Sequence, residues 1–346
     1  MGRFLLGFII VAASFQAASA QTPTPSPVAT DPVGFLALNI QGTGGSSSSA
    51  LSFLGLSFTQ PVAYQATLSS ASGTTLTDSK ASWTATANGF NGTTGAFYIE
   101  LLTGSGAGMW SNITAAGTNT ITTAQDLSSY VTAGTGYKIR PNWTLATVFG
   151  ATDQAGLFGG TASTADQILV YSPATSSYTT YFYQTSGIGA TGWRKVGDGT
   201  HADQSNAYFN PTDGILVKRQ QSSNVSFSLA GAVKLGQTVL PVAPGLNILS
   251  NVYPSGNFTL GTSGLQASGL GGGTASTADL VEIYNSATGS YSIYFYQTSG
   301  IGGTGWRLVG DGTHSDQSGA AIPFGQGLII QRKVASAFSW VAPQPF

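Results

Sequence analysis

The chain contains no cysteine. That excludes thiol nucleophiles, disulfide staples and zinc–thiolate sites. Stability must come from burial and hydrogen bonding alone, which is feasible for domains of this size. Charge is nearly as scarce. Asp, Glu, Lys and Arg make up 7% of the residues, against about 25% in an average soluble domain. The 12 basic and 13 acidic residues almost cancel. No basic stripe is left for nucleic acid or for a membrane surface. Histidine occurs only at His201 and His314. Helical periodicity is also missing: beyond the first 20 residues no helical apolar pattern persists for more than two turns.

What remains is β in character. There are 47 glycines, abundant Ser and Thr, and short apolar runs bounded by turn residues, the pattern of strands joined by tight loops. The first 20 residues stand apart. Arg3 precedes a short apolar run from Phe4 to Ala13, and Ala18-Ser19-Ala20 offers small residues for cleavage. This predicts a secretory signal peptide over 1–20, with the mature chain exported and free of membrane spans. Residues 21–31 alternate Pro with Ser and Thr and read as an extended linker.

The dominant feature is an internal repeat. Residues 159–205 align with 272–318 at a constant offset of 113. The register continues, with "GILVKR" from Gly214 facing "GLIIQR" from Gly327. Strands at this spacing predict an all-β fold of two tandem sandwich-like or barrel-like repeats. An N-terminal module, a small barrel or sandwich, is expected over 32–145, inserted in or preceding the first repeat. The repeats are expected at 146–252 and 253–346. "VGFLALNI" from Val33 reads as a faint third copy of "GILVKR".

Candidate site residues cluster in the repeated block. Asp198, His201 and Asp203 recur as Asp311, His314 and Asp316. Two carboxylates and an imidazole within six residues suit an Asp-Gly turn capped by Asp203 through backbone N–H groups. They also suit a calcium loop, calcium being the one cofactor the pattern suggests, or a polar binding loop. Trp193-Arg194 and Trp306-Arg307 lie on strands, so Trp and Arg point to opposite faces. Trp is expected in the core. Arg is expected to pair with Asp198 or Asp166, and in the second copy with Asp311 or Asp279. On the aromatic strands, Ile293 and Phe295 mark one face as core. The other face, Tyr181 and Tyr183 with Tyr294 and Tyr296, is then a candidate platform for a glycan or a surface protein.

The stretches "DPVGF", "RPNWTLATVFG", "GTASTADQILVYSPATSSYTTYFYQTSGIGATGWRKVGDG", "DQSN" and "QPF" resemble an uncharacterised family of bacterial exported proteins with a duplicated Thr-Gly-Trp-Arg β-repeat. The resemblance implies export and repeat architecture; it carries no activity, cofactor or catalytic residue to transfer. The expectation is an exported, non-enzymatic β-repeat protein with a structural or adhesive role at the cell surface or in the periplasm. A carbohydrate-binding protein using the tyrosine faces and Asp-Gly loops is the alternative. An extracellular glycan hydrolase, with Asp198 and Asp203 as paired carboxylates, comes third.

Overall fold

A computed structural model describes residues 31–46, 48–83 and 96–346. The expected signal peptide over 1–20, and all of the expected linker over 21–31 but Asp31, lie outside these residues. The protein is all-β; among the described residues the helices are short, α-helical at Leu145–Phe149 and Leu265–Ser268 and 3-10 at Ser128–Tyr130. No helix among the described residues is long and apolar enough to cross a membrane.

Two five-stranded antiparallel sheets carry the repeat. The first runs, in spatial order, Gly192–Lys195, Ser177–Gln184, Gln167–Ser172, Gly214–Arg219 and Ala50–Gly55. The second runs Gly305–Leu308, Ser290–Gln297, Leu280–Asn285, Gly327–Arg332 and Gly245–Ser250. In each, the central hairpin closes through a left-handed residue, Ser176 in one copy and Gly289 in the other, a geometry that tight hairpin turns favour.

Each sheet closes over its core with a two-stranded ribbon. Val33–Ile40 pairs with Val225–Ala232, and Thr238–Val242 pairs with Phe338–Ala342. A short helix plugs each half-barrel. The first is held by a capping box between Thr144 and Thr147 and buries Leu145, Val148 and Phe149. The second buries Leu265. The two cores centre on Trp193, Ile168, Val217 and Phe209, and on Trp306, Val281, Ile330 and Trp340.

This pairing moves the boundaries expected from sequence. The first repeat begins at Val33 rather than 146, because the strands at 33–40 and 50–55 are its own. The second begins at Thr238 rather than 253. Val33–Ile40 is the counterpart of Thr238–Val242 and not a third copy of "GILVKR". The apolar alternation of these strands says that one face is buried. It does not say which sheet buries it.

The remainder of the expected N-terminal module is an insertion in the first repeat. It forms a seven-stranded sheet whose end strands, Tyr64–Thr67 and Ser70–Ser72, are joined by two residues. Such a connection rolls the sheet back on itself as a barrel does. The insertion has its own core of Leu76, Ile99, Ile113, Ile121, Tyr137 and Ile139. It is fastened to the repeats by the buried Lys234–Glu100 ion pair and by Trp110, whose indole N–H donates to the Val239 carbonyl at 3.1 Å.

The two repeats pack sheet against sheet about an approximate two-fold axis. Phe53, Leu216, Ile248 and Ile329 form a core of their own there. Leu216 and Ile329 are repeat equivalents. So are two backbone bridges that cross the junction, Asp213 to Leu249 and Gln326 to Leu54. A self-complementary contact of this kind is what two-fold symmetry generates. Each large sheet is therefore covered on both faces.

Candidate functional site

The loops that are nearly identical between the repeats form one interlocked unit in each. Gln184 lies at the end of the aromatic strand and its amide donates to the carbonyls of Ile188, at 2.9 Å, and Ala190, at 3.3 Å. Gln297 does the same to Ile301 and Gly303 at 2.7 and 2.8 Å. The guanidinium of Arg194 donates to the carbonyls of Trp193 and Ala190 at 2.8 and 2.6 Å. Arg307 bonds likewise to Trp306, Gly302 and Gly303. Both arginines are buried.

Their carboxylate partners are not the expected ones. Arg194 faces Asp203 at 3.6 Å, and Arg307 faces Asp316 at 3.5 Å. Asp166 and Asp279 instead hold Arg219 and Arg332, and both pairs are buried. Asp166 also accepts backbone N–H bonds from Phe158 and Gln220 at 2.8 Å. These bonds compensate the buried charge and tie the start of one strand to the end of its neighbour. The tryptophans occupy the core as expected: Trp193 is fully buried, and its indole N–H donates to the Gly150 carbonyl at 2.8 Å.

Asp198 is spent inside its own turn. It accepts from the Thr200 N–H and hydroxyl at 3.0 and 2.6 Å, and from the Ala202 N–H at 3.3 Å. Asp311 repeats this with Thr313 and Ser315. These bonds, led by the threonine hydroxyl, hold both carboxyls below the usual carboxylate range. His201 and His314 sit at φ +52° and +53°, a left-handed conformation uncommon outside glycine. Asp203 bonds to its neighbour Ser205 at 2.7 Å, and Asp316 bonds to Ser318. Among the described residues no three His, Asp or Glu side chains gather as a metal group would require.

The tyrosine faces are reversed relative to the sequence reading. Tyr183 is 8% exposed and packs edge-on against Trp193, with ring centroids 5.2 Å apart. Tyr296 meets Trp306 in the same way at 5.6 Å. Tyr181 and Tyr294 are partly buried against the same two cores. These four tyrosines therefore form no open platform. The outward residues are Tyr178 and Tyr291, about two-fifths exposed. Phe295 is buried and Ile293 partly buried, but the core around Trp306 is met by the opposite face, through Tyr294 and Tyr296. The register showed the true inner face: Trp193 and Trp306 lie opposite Tyr183 and Tyr296.

A groove of about 590 Å³ opens at one end of the first repeat. Tyr181 and Asp203, both singled out in the sequence, reach it. Most of its character comes from residues that were not: Asn206, Tyr208, Asn210 and Asp213. Asp213 accepts from the Asn210 N–H at 2.9 Å, and burial pushes its carboxyl up to about 6. Asn210 is fixed from outside, because Asn112 of the insertion donates to it at 2.7 Å. Asn112 in turn accepts from Asn142 at 2.8 Å. The available signal was a negative one: "NAYFNPTD" differs from "GAAIPFGQ" at the same place in the second repeat.

No family model matches the chain, and no curated protein or solved structure matches it either.

Proposed function

We propose that the protein is an exported, non-enzymatic β-repeat protein with an adhesive role at the cell surface, of the bacterial repeat family that its Thr-Gly-Trp-Arg blocks resemble. One observation carries the reading. Each repeat holds its Gly-rich loop rigid with a buried Gln and a buried Arg, and each loop presents an isoleucine to solvent. Ile188 and Ile301 are 78% and 76% exposed. Covering such an aliphatic side chain on a loop already held in place gains the burial free energy at little ordering cost. Two copies in one chain supply avidity.

The chemistry of the loops supports the same reading. Asp198 and Asp311 are consumed by their own turns, and Asp203 and Asp316 sit beside an arginine. In neither copy are the two aspartates of the loop left free to act together as the paired carboxylates that glycan hydrolysis uses. The signal sequence over 1–20 supplies the export route.

The test has two parts. N-terminal sequencing of the protein from the culture fluid or envelope is expected to give a chain starting near Gln21. The purified mature protein is expected to adsorb to an alkyl-coated surface, and the double variant Ile188→Ser, Ile301→Ser to lose most of that adsorption without a change in melting. Retention of the leader, or equal adsorption of the variant, would overturn the proposal.

A further inference from the structure

The polar lining of the first repeat's groove is not repeated in the second repeat. At the repeat offset, Asn206, Tyr208, Asn210 and Asp213 are replaced by Gly319, Ala321, Pro323 and Gln326. The positions between them that fill the core stay apolar: Phe209 and Ile322 are each 1% exposed. Gln204 and Gln317, and Ala207 and Ala320, are the same residue. The two copies thus share a scaffold and differ where one of them lines a groove. The copy with the groove is also the copy that carries the insertion, and the insertion fixes Asn210 through Asn112.

The lining narrows the class of ligand. It has no Lys or Arg and includes two carboxylates, so a phosphate or other anion is repelled. The volume falls in the range of about 300–1,000 Å³ that small-molecule sites occupy. Tyr208 and Tyr181 provide apolar ring surface with a polar edge. Asn206 provides a planar amide, and Asn210 and Asp213, bonded to each other at 3.1 Å, keep a further N–H and further lone pairs for adjacent hydroxyls. We propose that this groove binds a neutral saccharide. The tyrosine rings lie against its C–H face, and the amide and carboxyl groups of Asn206, Asn210 and Asp213 meet its hydroxyls. The rigid seat of Asn210 lowers the ordering cost of binding. The proposal stands apart from the adhesive reading, because a sugar titration does not read Ile188 or Ile301.

The experiment is a titration of the mature protein by calorimetry and saturation-transfer NMR. The probes are glucose, galactose, mannose, xylose and N-acetylglucosamine, their β-linked disaccharides, and glucuronate as a charged control. Saturable binding of at least one neutral sugar is expected, with glucuronate silent. Tyr208→Ala is expected to weaken binding at least tenfold. The pair Asn206→Gly, Tyr208→Ala installs residues that the second repeat already accommodates at these places, so it tests the groove without relying on a risky substitution. It is expected to abolish binding while the melting temperature holds. Silence of every neutral sugar up to about 10 mM, an affinity weaker than most specific sites show, would overturn the proposal. So would unchanged affinity in the double variant.

Discussion

Gly214 lies beneath the carbonyl of Leu249, across the junction between the two repeats. A Cβ on Gly214 would come within 2.8 Å of that oxygen. Its repeat equivalent, Gly327, is less confined: a Cβ there would stand 3.3 Å from the Leu54 carbonyl. The approximate two-fold axis is therefore tighter on one side. Gly214→Ala is expected to cost about 1–3 kcal/mol, the usual penalty for overpacking. Gly327→Ala is expected to cost clearly less. Urea unfolding of the two single variants checks this, and equal costs would contradict the asymmetry.

The junction is also an apolar core, and it tests whether the repeats are energetically one unit. Leu216 is 7% exposed and faces Ile248 and Ile329. Leu216→Ala is expected to destabilise by about 2–5 kcal/mol. Both repeats bury the same contact, so the loss is expected in one cooperative transition. Near-UV circular dichroism and tryptophan fluorescence would then report the same midpoint. Separate midpoints would mean that the repeats fold independently.

Asp166 and Arg219 make the buried ion pair that the sequence assigned wrongly. Asp166 has no exposed side-chain surface, and Arg219 has 5%. Removing one partner strands the other charge away from water. Asp166→Ala is expected to cost about 3–5 kcal/mol, and Asp279→Ala a similar amount in the second repeat. Replacing both Asp166 and Arg219 by apolar residues of like volume is expected to recover much of the loss. Chemical denaturation of the single and double variants decides it; a double variant no better than the single would show that the hydrogen bonds to Phe158 and Gln220 matter more than the charge.

Much of the architecture was written in the sequence, in particular places. The 113-residue offset between "ATGWRKVGDG" and "GTGWRLVGDG" gave the duplication, and Gly, Ser and Thr around short apolar runs gave the all-β class. Trp193 and Trp306 read correctly as core because nothing else so large alternates with a charge. The tyrosine strands did not, and the cause is physical. A strand covered on one face alternates apolar with polar, whereas a strand covered on both faces does not. Tyr181 and Tyr183 face their own core while Phe182 faces the other way and lines a pocket with Ile188 and Arg194. The arginine partners were hidden by sequence distance, since Asp166 lies beside Arg219 only once three further strands of the sheet are in place. The near-identity of the loops has the same kind of answer. Gly302 lies against His314, where a Cβ would come within 2.9 Å of the histidine Cβ. The two loops are shaped to each other, so neither drifts freely.

The last prediction concerns pH. Asp213 has its carboxyl raised from the ordinary 3.8 to about 6 by burial, against the opposing bonds from Asn210. A carboxyl raised in the folded state favours folding when protonated. Its contribution is complete below about pH 4 and is lost as pH rises through about 6. Asp153, raised by burial to about 7, adds in the same direction. Asp213→Asn removes the ionisation while keeping the shape. The variant is expected to match the parent near pH 4 and to exceed it in stability at pH 7.5. The gap should open between these two values. Melting curves of both proteins across that range measure it directly. A variant less stable than the parent at pH 7.5 would show that the ionised Asp213 is favoured by its bonds to Asn210 rather than penalised by burial.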